Sequence, residues 1–150
     1  MNNTSQQNNN NADLKMNIDR AFQETNSVIT LLMGQFNKEH VERADNETIY
    51  YGICAVKNGI EAIYSHISMF TEIPAIKASS PVAVMINTIE EMIVNTKAVL
   101  ELLHDQFAND DNGCLNNETI YTIFASVRKD LTKMVGVSDD FIGMIDKVQA

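Results

Sequence analysis

Glu101 and His104 stand three residues apart, a spacing that puts both side chains on one face of a helix. Carboxylate-bridged di-iron bundles use this spacing. They need the pair twice, with two further glutamates facing inward. At the matching positions of an internal repeat, 71 residues earlier, stand Thr30 and Met33. The second half-site is missing, and a solvated helix face accounts for Glu101 and His104. Asp110, Asp111, Asn112 and Gly113 suggest a calcium loop. With Gly113 as the invariant glycine of such a loop, its first and last ligand positions fall on Ala108 and Thr119, which cannot supply carboxylates. His40 falls in a loop, while His66 and His104 come late in helical segments, where a cation suits the end of the helix. No Ser–His–Asp or Cys–His arrangement can be built from the spacing, and the six glycines are too scattered for a phosphate-cradling loop. The chain therefore reads as non-enzymatic, with no catalytic residue, no cofactor and no metal site.

Charge carries more information. Between residues 81 and 118 lie seven acidic residues: Glu90, Glu91, Glu101, Asp105, Asp110, Asp111 and Glu118. Lys97 is the one basic residue among them, so this stretch holds −6 of a formal net charge of −9. Such a concentration can steer a basic surface of another protein, and these seven are the candidate partner-binding residues. A face that merely keeps the chain in solution is the competing account. The same balance argues against a nucleic-acid binder, which needs a basic stripe, and against docking on an anionic membrane. No run approaches the ~18 apolar residues of a membrane span, and the N-terminus lacks the basic and apolar regions of a secretory signal. Cys54 and Cys114 are too few for a disulfide framework and read as free thiols, which suits the cytoplasm.

The elements that would position these residues follow from periodicity. Residues 1–12 are nearly all Asn, Gln, Ser and Thr and predict a disordered polar tail. Residues 13–150 predict one helical domain. Its first helix starts at Asp13 and carries Leu14, Ile18, Ala21, Phe22, Val28, Ile29, Leu32 and Phe36. A second starts at Asn46 and runs to about Ile67; Gly52 and Gly59 inside it read as tolerated helix glycines. Residues 68–80 are a linker, and Met69 and Phe70 at its start have no obvious place in the core. Ser80 and Pro81 then supply a cap and a first-turn proline for a third helix to about Phe107. A fourth runs from Asn117 to about Val135, where Gly136 suits a helix end. Ser138 caps a short last helix over 138–149.

The chain also matches itself. Asn46–Glu47–Thr48–Ile49–Tyr50 recurs as Asn117–Glu118–Thr119–Ile120–Tyr121, and at the same shift of 71, without a gap, 13 of the 46 positions from 18 to 63 are identical. In the repeated pentapeptide, Asn suits a cap, Glu the first turn, and Ile and Tyr the start of an apolar face. The loops at 37–45 and 108–116 share no residue. The predicted fold is an all-α four-helix bundle with approximate twofold symmetry, built from a tandemly duplicated hairpin. The first hairpin covers about 13–67 and the second about 81–135, with the short helix added at the C-terminus. Thr25, Thr96, Gln35 and Gln106 are its few inward polar groups, and the two glutamines are placed to bond across the symmetry axis. Most of the eight methionines fall on apolar stripes and read as core. These features point to a small regulator, adaptor or inhibitor that works by protein–protein interaction. The alternatives are a bundle with an interior small-molecule or metal site, and a structural subunit that oligomerises through its last helix.

Overall fold

The computed structural model describes residues 3–37, 42–71, 80–108 and 115–149, with side chains from residue 12 onward except at 70, 71, 80, 146, 148 and 149. Four helices make up the described chain: α1 (Asn3–Gln35), α2 (Asn46–Thr71), α3 (Ser80–Ala108) and α4 (Asn117–Gln149). Each packs on two neighbours, in the ring α1–α2–α3–α4–α1. This is the four-helix bundle that the apolar stripes require. A helix with one broad apolar stripe must bury it against neighbours on both sides.

Both ends of the chain differ from expectation, and in a related way. α1 begins at Asn3, so helical backbone runs through the segment for which composition predicts a disordered tail. That segment has no Gly or Pro to stop a helix. Asn and Ser cost no more than about 0.7 kcal/mol each relative to Ala, and extending an existing helix needs no new nucleus. At the other end α4 is one helix of 33 residues, with no break at Val135 and no separate C-terminal helix. Gly136 stays helical, and no described glycine has a positive φ. Ser138 is not a cap: its hydroxyl donates to the Met134 carbonyl at 2.7 Å from inside the core. Burial of Phe141, Ile142 and Ile145 outweighs the local stop signal. α1 and α4 are antiparallel neighbours, and Lys15 Nζ reaches Asp139 Oδ1 at 2.8 Å. Continuing the one past Val135 gives the start of the other a helix to lie against.

Inside, residues 71 apart play matching parts. Ile18 and Ile89, Ile29 and Leu100, Leu32 and Leu103, Phe36 and Phe107, Ile53 and Phe124, Ile60 and Leu131 are buried as pairs. The Phe36 ring, just beyond the end of α1, lies 5.8 Å from that of Phe107 and 5.9 Å from that of Phe124, joining that end to α3 and α4 in an aromatic cluster. Thr25 and Thr96 are both buried, and each hydroxyl donates to the carbonyl four residues back, Ala21 at 2.6 Å and Met92 at 2.7 Å. No buried side-chain nitrogen or oxygen among the described residues lacks a partner.

The helix starts also match, but one residue earlier than the pentapeptide suggests. Asp45 Oδ1 accepts the Thr48 N–H at 2.6 Å, and Asn116 Oδ1 accepts the Thr119 N–H at 2.8 Å. Asp45 and Asn116 are thus the N-caps, and Asn46 and Asn117 follow them. The loops that share no residue share this role. The caps differ in one respect that can be measured. The Thr48 N–H, and after it the Thr48 hydroxyl, hold the Asp45 carboxyl below its ordinary value of 3.8. A carboxyl lowered on folding stabilises above its unfolded value, and that contribution is lost as pH falls through the folded value. Relative to the intrinsic rate, amide protection in the first turn of α2 should therefore fall below about pH 4, while the same turn of α4, capped by an amide, keeps its cap. Equal protection of the two turns down to pH ~2 would contradict this.

Gln35 and Gln106 do not reach each other across the axis. Gln35 Oε1 accepts the Ala44 N–H at 2.8 Å, and Gln106 Nε2 donates to the Leu115 carbonyl at 3.3 Å. Each pins the far end of its own hairpin loop, at positions again 71 apart. Gly52 and Gly59 are not merely tolerated. A Cβ at Gly52 would come within 2.8 Å of Leu32 Cδ2, and one at Gly59 would overlap the Thr25 hydroxyl. They set how closely α2 lies on α1.

Candidate functional site

Two of the acidic residues of α3 are engaged with α2. Glu90 accepts a hydrogen bond from the Tyr64 hydroxyl of α2 at 3.1 Å, and Glu101 Oε1 takes Lys57 Nζ of α2 at 2.6 Å. Lys97 answers with an ion pair to Glu61, and His104 Nε2 lies 3.1 Å from the Tyr50 hydroxyl. Four polar links thus run along the outside of the α2–α3 contact. The Lys57 hydrogen bond holds the Glu101 carboxyl below its usual value. Donation to Glu90, helped by burial, pushes the Tyr64 phenol up. The neighbouring Cys54 thiol, then burial, does the same at Tyr50. Pairs this exposed add little stability, but they fix which residues face each other along the two helices.

Glu91 and Asp105 are exposed, and Asp105 Oδ1 lies 3.5 Å from His104 Nδ1. Asp110 and Asp111 lie outside the described residues. Glu118 sits in the first turn of α4, the helix next to α3 in the ring. Of the seven candidates the structure therefore engages Glu90 and Glu101 in the α2–α3 links, leaves Glu91 and Asp105 on the outer side of α3, and puts Glu118 in a cleft at the loop end.

The Glu101–His104 pair has a third member. Nδ1 of His104 is 3.7 Å from Glu101 Oε2 and 3.5 Å from Asp105 Oδ1, and one donor atom from each of the three residues lies within 4.8 Å of the others. Lys57 already places a cation on Glu101. The matching positions 71 residues earlier are an exposed Thr30 and a buried Met33, so the arrangement is not repeated. Among the described residues the Glu101–His104 pair has no counterpart in the first hairpin.

Two clefts at the loop end of the bundle were not foreseen. One, of about 380 Å³, is lined by Phe36, Asn37, Glu118, Tyr121 and Thr122. The other, of about 290 Å³, is lined by Phe107, Ala108, Asn46, Glu47, Tyr50 and Tyr51. All five residues of the first map onto the second at the shift of 71, and Phe, Glu and Tyr are identical. In each, the last turn of one hairpin's first helix meets the first turn of the other hairpin's second helix. Between them Arg43 places its guanidinium 5.5 Å from the Phe36 ring centre and 6.0 Å from that of Phe107, and donates to Asn46 Oδ1 at 3.2 Å. The repeated pentapeptide was the available signal: its Glu and Tyr lie on the surface side of the helix start, where core packing does not require them.

Among the described residues no helix is long and apolar enough to cross a membrane. Comparison with models of protein families, with curated proteins and with solved structures gives no match to this chain.

Proposed function

We propose that the protein is a non-enzymatic interaction module, a regulator, adaptor or inhibitor of the cytoplasm that engages a basic surface of a partner protein. The observation that carries this reading is the outer side of α3. Val84, Val94 and Leu102 are exposed there, within about a quarter turn of the exposed Glu91 and Asp105. A helix whose inner side is already buried gains nothing in the monomer by exposing three aliphatic side chains. An amphipathic surface of this kind suits a partner with apolar anchors inside a basic rim. The net charge of −9 favours fast encounter with such a surface. The satisfied interior supports this reading over an interior ligand site, since Thr25, Thr96 and Ser138 spend their hydroxyls within their own helices.

The test is a pull-down from the source cell at ~100 and ~500 mM salt with the wild type and with Glu91→Lys/Asp105→Lys, which leaves Glu90, Glu101 and their α2 partners unchanged. A stoichiometric basic partner, weakened by salt and lost with the variant, is the expected result. A partner that binds both proteins equally at both salts would overturn the assignment to α3.

A further inference from the structure

We propose that the outer side of α3 docks on α4 of a second copy of this chain, in a twofold pair that closes over the groove between α3 and α4. The proposal rests on the reading of α3 as a surface for a basic partner, and names that partner. Lys129 and Lys133 stand exposed on the outer side of α4 and make no ion pair among the described residues, whereas Lys15, Lys57 and Lys97 each hold a carboxylate. On α3 the opposite charge is equally free. Glu91 is exposed and makes no ion pair among the described residues, and the exposed Val84, Val94 and Leu102 flank it. The outer side of α4 is also low. Ala125, Ser126, Gly136 and Gly143 lie along it, and a Cβ added at either glycine would meet nothing within 4 Å. A glycine inside a helix costs about 1 kcal/mol relative to alanine, and within one chain nothing packs above these two to repay it.

The groove, of about 780 Å³, fixes the levels of the two helices. Thr88, Met92 and Asn95 line it from α3, and Lys133, Gly136 and Val137 from the antiparallel α4. Glu91 is therefore level with Gly136 and within about one turn of Lys133. By the same count Leu102 is level with Ala125 and Ser126, and Val84 with Gly143. A twofold axis parallel to the helices keeps every level and sets α3 of each copy over α4 of the other. Each Glu91 then meets Lys133 of the other copy, each Leu102 lies over Ala125 and Ser126, and each Val84 lies over Gly143. Large side chains thus face small ones, and the charges are complementary in both halves of the contact. The acidic residues further along α4 do not oppose this. Asp139 is held by Lys15, and Asp140 falls level with the neutral Asn87. α3 is about 40 Å long and two adjacent helices are about 20 Å wide, so each copy covers on the order of 800 Å², the area of a standard stable interface.

The experiment measures the mass of the full chain by sedimentation equilibrium from ~1 to ~500 µM at ~150 mM salt, where repulsion between two acidic copies is screened beyond about 8 Å. The expected result for the wild type is a rise from one chain mass to two. Glu91→Lys alone and Lys133→Glu alone each set like charges against each other in both halves of the pair, and each should weaken association about tenfold. Mixed in equal amounts, the two variants regain an attractive contact in both halves and should associate as tightly as the wild type. That recovery also shows that both variants are folded. A mixture that associates no better than either variant alone, or variants that pair as well as the wild type, would overturn the docking of α3 on α4. A wild type that stays at one chain mass, while Glu91→Lys/Asp105→Lys loses a stoichiometric basic partner from a lysate, would overturn the second copy and leave the α3 reading standing. One chain mass throughout, with no partner lost by that variant, would overturn both.

Discussion

Truncating Phe36 to alanine should lower the unfolding free energy by about 3–5 kcal/mol. The side chain is 2% exposed and is the ring shared by both contacts of the aromatic cluster, with Phe107 and with Phe124. The loss combines the transfer of a large apolar group with the cavity it leaves, and three helices must move together to close that cavity. A domain of this size is stable by about 5–15 kcal/mol, so the variant keeps only part of its margin. Urea denaturation checks it: the midpoint should fall while the slope stays near the wild-type value. Phe36→Leu should recover part of the loss, because it refills part of the volume. A loss below about 1 kcal/mol in Phe36→Ala would mean that the cluster does not hold the two hairpins together.

Gly59→Ala should cost about 1–3 kcal/mol, although alanine is the better helix former by about 1 kcal/mol. The new methyl would overlap the Thr25 hydroxyl and lie near Thr25 Cβ. Thr25 cannot swing away, because it is buried and its hydroxyl is bonded to the Ala21 carbonyl. α1 and α2 must separate instead. Thr25→Gly/Gly59→Ala moves the small residue to the other helix and should recover stability relative to Gly59→Ala alone, which a double-mutant cycle measures. Gly136 is the internal comparison. A Cβ there meets nothing within 4 Å, so Gly136→Ala should raise stability by up to about 1 kcal/mol. The same substitution in two helices thus has opposite signs, and thermal midpoints read both. Stabilisation by Gly59→Ala would show that the close approach of α1 and α2 is not maintained in solution.

The apolar stripes made the bundle legible from sequence. Ile18, Ile29, Leu32 and Phe36, with their counterparts 71 residues on, fall where periodicity places them, because burial is the largest favourable term and leaves the clearest pattern. The ends of α1 and α4 were misread because the local signals there are weak. Gly136 and Ser138 resemble a stop, yet Phe141 and Ile145 beyond them are fully buried, and tertiary packing decides. The role of Gly59 was hidden because it depends on Thr25 of another helix. The α2–α3 links were partly readable. Lys57 and Glu61 have the same order and spacing as Lys97 and Glu101, and an antiparallel pair sets each lysine against the other helix's glutamate. The clefts were not readable, since each is built from two hairpins and exists only once they are docked.

The two loop-pinning glutamines show how a duplicated scaffold can let its connections drift. A primary amide carries a donor and an acceptor on one plane. Gln35 uses the acceptor on a backbone N–H, and Gln106 uses the donor on a backbone carbonyl, at the same place in each hairpin. A glutamate there could serve only the first arrangement and a lysine only the second. Because glutamine works in either polarity, the incoming strand of a loop can present whichever backbone group its own path turns inward and still be clamped. The insertion or replacement of loop residues is thereby uncoupled from the register of the helices that follow, and each hairpin can be given a new loop without re-solving the bundle beneath it.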